Sequence, residues 1–197
     1  MNHFHLAGRR HEYCAWPAIV RMGDGGLLVT WCRSDEHMGP SGTILAARSH
    51  DDGRTWSSPI VVHDSVLDDR ECGLTALSDG RLLVHVWSTC HTGESYGRMD
   101  AFAYEADVVR KWCLEVEGKE YRAAAGEKGA WVLISEDFGL TWKLQGRGPD
   151  SVHGGIQLIS GDVLVASYRD DNPAIGIFCA SPDKLAWKRR SAFNPPQ

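Results

Sequence analysis

Residues 49–56 read SHDDGRTW and residues 135–142 read SEDFGLTW, identical at Ser, Asp, Gly, Thr and Trp, five of the eight positions. A short motif repeated at this strength marks a repeated supersecondary unit, and its reading decides the architecture. A decayed third copy, SPDKLAW at 181–187, keeps Ser181, Asp183 and Trp187 but drops the glycine, the threonine and one residue of spacing. Asp51 and Asp137 can accept backbone N–H bonds inside their own turns, and Gly53 and Gly139 supply a positive φ. The Thr hydroxyl closes the turn, and the Trp anchors beneath the adjoining strands. The two aspartates therefore read as a folding staple, not as a catalytic pair.

Each copy follows the same order of elements: an apolar strand, a Gly/Asp turn, a second apolar strand, a connection, and a third strand running into the motif. The first unit, over 13–66, places strands at 15–22, 27–33, 43–49 and 59–64. The second, over 67–149, places them at 72–77, 81–88, 131–135 and 143–147. The third, over 150–193, places them at 154–159, 163–169, 174–180 and 187–193. The spacing predicts an all-β chain of four-stranded antiparallel meanders. The second unit carries an insertion at 90–128 that reads as helix. In ADVVRKWCLEV, Val109, Trp112, Cys113 and Val116 recur at helical spacing opposite Arg110, Lys111, Glu115 and Glu117. Such a segment serves either as a structural cover or as a lid over a site.

Composition narrows the partners. The 197 residues carry 26 acidic and 21 basic side chains, a net charge of −5, with no basic stripe interleaved with aromatics, so nucleic acid is not expected. The first residues, MNHFHLAGRRHEY, lack the apolar core of a secretory signal, and no run of apolar residues is long enough to span a membrane. The expectation is a cytoplasmic protein without a membrane partner, with secretion left open. Cys14, Cys32, Cys72, Cys90, Cys113 and Cys179 show no CxxC spacing and read as free thiols, and nothing calls for a metal or cofactor.

The SxDxGxTW pattern, on the turn between the third and fourth strands of a meander, resembles the Asp-box or BNR repeat of the sialidase superfamily. The resemblance spans about residues 13–193 and implies a β-propeller, of which this chain supplies about three blades of six. In such a blade the start of the first strand and the end of the second lie at the same mouth. Matching the units on their turns sets Ala15, Glu71 and His153 at equivalent positions, with Arg33, Ser88 and Arg169 leaving the second strands.

Glycoside hydrolysis needs a proton donor with a nucleophile or base, and an acidic sugar is matched by the forked donors of arginine. The catalytic candidates are accordingly Asp35, Glu36 and His37 in the first mouth loop and Arg70 and Glu71 in the DDRE segment. The substrate-binding candidates are Arg33, Asp69, His153, Arg169 and Asp170. The resemblance implies three arginines on a substrate carboxylate, an acid aspartate after the second strand of the first blade, and a Tyr/Glu pair from later blades. Asp35 lies where that acid is expected, with Glu36 and His37 competing for the role. The family's first arginine opens an RIP motif, and here AWP puts Ala15 in its place. Two functions follow as expectations: a sialidase-like exo-glycosidase acting on an anionic sugar, or a non-catalytic propeller that holds a glycan or a protein. Three blades leave a ring open, which points to further C-terminal blades or to a homodimer.

Overall fold

Runs rich in Val, Leu, Ile and Trp bounded by Gly/Asp turns are suited to pleated, packed surfaces, and in this chain each becomes a strand. The computed structural model describes residues 12–97, 104–151, 153–167 and 175–193. β1 (Tyr13–Arg21), β2 (Leu27–Ser34), β3 (Gly42–Ser49) and β4 (Ile60–His63) form one antiparallel meander. β5 (Asp68–Ala76), β6 (Leu82–Thr89), β7 (Gly129–Ser135) and β8 (Lys143–Arg147) form the second. β9 (Gly155–Gln157), β10 (Val163–Ser167), β11 (Ile175–Ala180) and β12 (Lys188–Phe193) form the third. One parallel bridge, Gly42 to Asp68, joins the first two meanders into a continuous hydrogen-bonded path. The chain is thus mostly antiparallel β-sheet with few helices. β5 starts at Asp68, ahead of the run expected at 72–77.

The meanders pack face to face in chain order, and β6 shows why. Alternate side chains of a strand point to opposite faces. Leu82, Val84 and Val86 accordingly join Leu28, Ile44, Ala46 and Leu74 in a core between the first and second sheets. Leu83 joins Val132, Ile134, Val163 and Val165 in a core between the second and third. Each such aliphatic side chain removed from water contributes about 1.5–3 kcal/mol, so these two layers supply the main cohesion. Gly73 marks a close backbone approach: a Cβ there would lie 1.8 Å from the backbone nitrogen of Gly154, so only glycine lets β5 abut the start of β9.

The two matched octets close as hairpin bends. Asp51 accepts hydrogen bonds from the Thr55 amide (2.8 Å) and hydroxyl (2.6 Å) and from Ser49 Oγ (2.8 Å). Asp137 accepts the same bonds from Thr141 and Ser135, with one more from the Leu140 amide at 3.1 Å. Gly53 and Gly139 take φ of +80° and +79°, and their amides donate to Ser49 and Ser135. Trp56 and Trp142 pack against the sheet cores. The decayed third copy behaves differently. Asp183 leaves its own turn and pairs with Arg81 of the second meander at 2.7 Å, while Trp187 packs into the second core.

The insertion folds as α1 (Gly93–Gly97), α2 (Ala106–Val116) and α3 (Lys119–Ala124), followed by a 3-10 turn at Ala125–Glu127. The apolar face of α2 is the one the spacing indicates: Trp112 and Val116 are buried with Tyr96, Tyr121 and Leu67, and Val109 and Cys113 pack against them. None of the described helices is long and apolar enough to cross a membrane. All six cysteines are free thiols, with Cys32 and Cys72 buried and Cys14 exposed.

Candidate functional site

Three hairpin turns are closed by equivalent bonds, Met22 N to Gly26 O, Leu77 N to Arg81 O, and Leu158 N to Asp162 O. Counted back from these bonds, Ala15 corresponds to Arg70 and Ser151, and Trp16 corresponds to Glu71. The equivalence of Ala15 with Glu71 and His153 expected from sequence is therefore out of register. The strand entries give no clean alternation to count from, because each carries a β-bulge at the matching place that adds one residue and breaks the two-residue period. β1 shifts between Ala15 and Ala18, and β5 shifts between Arg70 and Cys72. The residues that absorb the shift are strained, with φ of +52° at Trp16 and +55° at Glu71. So an arginine does stand at the start of a first strand, one meander later than Ala15.

These strand starts converge. Cys72 Sγ donates to the carbonyl of Trp16 at 3.5 Å, and the backbone of Gly73 meets that of His153 and Gly154. The Arg70 guanidinium lies 4.9 Å from the Trp16 ring centroid and donates to the His37 carbonyl. It also faces Met38 Sδ at 3.4 Å and an Asp68 carboxylate oxygen at 3.4 Å. Around it, the Tyr13 hydroxyl meets His37 Nδ1 at 2.7 Å, and the Tyr13, Trp16 and His37 rings stack edge-on or tilted at 5.4–5.8 Å. Glu71 follows in the bulge. Its Oε2 is buried and has no hydrogen-bond partner among the described residues, as does Arg70 Nε. Both atoms lie beside the strained bulge at Glu71.

The other predicted residues separate into distinct surroundings. Asp69 is fully buried, accepting from Ser65 N, Ser65 Oγ and Ser88 Oγ, with His63 at 3.5 Å. Burial pushes its carboxyl above the usual range, against the opposing pull of His63 and the hydroxyl donors. Arg33 and Asp35 line a separate cavity of 410 Å³ with Glu12, Ser34, Ser41 and Thr43. Asp35 is exposed and faces Lys111 of α2 at 3.8 Å, so the insertion reaches the first mouth loop. Glu36 is exposed, its carbonyl accepting from Ser34 Oγ. His153 is exposed at the start of the third meander. Arg169 and Asp170 lie outside the described residues. Among the described residues, no group of three or more His, Cys, Asp or Glu is arranged to hold a metal ion.

Sequence reasoning read DDRE as a mouth loop and so missed that Asp68 is a buried partner. Asp68 faces Arg70 and, at 3.0 Å, His91 Nε2. His91 stacks on Tyr96 at 5.2 Å, and its amide donates to the Tyr121 hydroxyl at 2.9 Å. His91 belongs to the insertion and Asp68 to β5, and no local spacing links them.

This geometry, of antiparallel meanders with strand starts gathered at one end, is a sialidase-like fold. No protein-family model matches the chain, and no curated protein matches it by sequence. Solved structures do. A protein of unknown function from Dyadobacter fermentans DSM 18053 superposes with a TM-score of 0.61 at 16% identity, over 93% of this chain and 56% of that one. Hadza microbial sialidase Hz136 gives 0.62 at 15%, over 93% of this chain and 34% of that one. The NanB sialidase of Streptococcus pneumoniae gives 0.57 at 12%, over 93% of this chain and 44% of that one. The chain thus spans between about a third and just over half of the length of these structures.

Proposed function

We propose that the three meanders are blades of an Asp-box propeller and that the converging starts of β1, β5 and β9 form a carbohydrate site of a sialidase-like glycoside hydrolase. The observation that carries the reading is Glu71: a carboxylate on a strained bulge, with one oxygen buried and unpartnered, next to a guanidinium. A glycosidase needs a fixed carboxylate at the sugar and a second acid within reach, and cations to receive an anionic substituent. Glu71 supplies the fixed carboxylate, Arg70 the cation, and Asp35 or Glu36 the proton donor carried in by the first mouth loop. His153, at the start of the third meander, adds to the rim. Asp69 acts beneath the site, holding the start of β5 against Ser65 and Ser88. The two outermost sheets pack against further blades, contributed by a second copy or by further sequence, and a light-scattering mass distinguishes the two.

One observation favours a second reading, a propeller that binds a glycan without turning it over. The Arg70 guanidinium is engaged by Asp68, His37 and Trp16, leaving less of it for substrate. The test is turnover of a fluorogenic sialoside and a panel of neutral glycosides by the native chain and by Glu71→Gln. Activity lost in Glu71→Gln with the fold retained supports the hydrolase. Binding to a glycan array without turnover supports the module, and neither result would remove both.

A further inference from the structure

The chain leaves β6 at Thr89, which pairs with Asp68 at the start of β5, so His91 enters the insertion beside that aspartate. The Asp68 carboxylate is buried, and its two oxygens meet different segments. Oδ2 is shared, with His91 Nε2 at 3.0 Å and Arg70 Nη1 at 3.4 Å. Oδ1 lies against the exit of the first mouth loop. A Cβ at Gly42 would stand 2.7 Å from it and 2.4 Å from the Asp69 carbonyl oxygen, so only glycine lets β3 start there.

The two distances to the shared oxygen differ in meaning. A charge-assisted N–H···O contact closes to about 2.7–2.9 Å when nothing opposes it. His91 comes near that range, and Arg70 stays outside it. Arg70 is drawn instead to the first mouth loop, where it donates to the His37 carbonyl and faces Met38 Sδ at 3.4 Å. One guanidinium thus links the aspartate held by the insertion to the loop that carries Asp35 and Glu36, and Glu71 is the next residue along the chain. Two further contacts join that loop to the insertion. The Tyr104 hydroxyl is hydrogen-bonded to the Met38 backbone, and Lys111 faces Asp35 at 3.8 Å. The second is an exposed pair and contributes little.

We infer that His91 and Asp68 are positioning residues of the mouth: His91 holds the Asp68 carboxylate back from Arg70, which leaves the guanidinium on the first mouth loop and fixes Asp35 and Glu36 relative to Glu71. Without His91 the shared oxygen closes on Arg70 and draws it off the His37 carbonyl. The inference rests on the reading of these carboxylates as a site and adds that the insertion sets their spacing.

The test is amide hydrogen exchange, read by mass spectrometry, on the native chain and on variants. His91→Phe keeps a ring to stack on Tyr96 and removes only the polar link to Asp68. Exchange over 35–41 rises about tenfold or more, the scale of one lost hydrogen bond, while β3 stays protected. His91→Gln, whose amide still reaches Asp68, restores the protection. Arg70→Leu loosens the same loop, and adding His91→Phe to it changes 35–41 no further, because both act through one guanidinium. Turnover of a fluorogenic sialoside follows the loop: His91→Phe lowers kcat at near-native KM, and His91→Gln recovers it.

Native exchange over 35–41 in either His91→Phe or Arg70→Leu would overturn the inference, as would loosening confined to 90–128. A chain that turns over no glycoside yet shows the expected exchange pattern removes the hydrolase reading and leaves the positioning role standing.

Discussion

His91 Nε2 lies 3.0 Å from a carboxylate oxygen of Asp68, and both side chains are almost wholly buried. The pair crosses from the insertion to the first strand of the second meander and holds the helices over the sheet. Removing one member of a buried polar pair leaves the other unsatisfied, at a cost of roughly 3 kcal/mol. His91→Ala should therefore lower the melting temperature and expose 90–128 to limited proteolysis. Asp68→Asn should do less harm, because an amide still reaches the imidazole. A native cleavage pattern in His91→Ala would show that the helices are held by Trp112 and Tyr121 alone.

The bulge at Glu71 should separate stability from function. A non-glycine residue at φ +55° carries a backbone cost of order 1 kcal/mol, which glycine does not. Glu71→Gly is expected to raise the melting temperature slightly while abolishing turnover, and Glu71→Gln to leave stability near native with the same loss of activity. A destabilised Glu71→Gly would mean that the side chain holds the strand rather than serving a ligand.

Acid should unfold the hairpin bends in a defined window. Hydrogen bonds from Thr55, followed by Ser49, hold the Asp51 carboxyl down to about 2. For Asp137 partial burial pushes upward, and the Thr141, Ser135 and Leu140 donors outweigh it, giving about 2 as well. Both lie below the ordinary value of 3.8. The unfolded chain binds these protons first, so this stabilisation is complete above pH ~4 and is lost as pH falls through ~2. Melting temperature measured against pH should drop in that interval, and the drop should be shallower in Asp51→Asn/Asp137→Asn.

His85 acts in a higher window. It is fully buried in the second meander against Trp187, with neither ring nitrogen hydrogen-bonded among the described residues, and burial drives its pKa down to about 4 from 6.5. The unfolded imidazole gains its proton near 6.5 while the folded one resists until about 4, so stability is full above the first value and falls towards the second. His85→Leu should remove that slope and stabilise the protein at pH 5. An unchanged slope would assign it to other groups.

The strand plan was legible because each strand is a contiguous apolar run with a turn at its end, and the octets name their own hydrogen bonds. LLVTWCR, for example, predicts β2 almost to the residue. The start of β5 was not legible. Asp68, Asp69, Arg70 and Glu71 look like a charged loop because their partners, His63, Ser88, His91 and His37, come from other segments. The bulges at Trp16 and Glu71, at matching places in β1 and β5, were equally hidden: each breaks the two-residue alternation just where the strand entries have to be matched. Reading by spacing therefore set Ala15 against Glu71, where the hairpin bonds set it against Arg70.

In the first two octets the aspartate binds within four residues of itself, whereas Asp183 reaches Arg81 across 102 positions of chain. A bend that forms on its own has become a clasp that needs its neighbour in place. The last sheet therefore takes one contact of its corner from the preceding one, so the two sheets are tied at that edge. Contacts of such long separation are slow to form and cooperative once made.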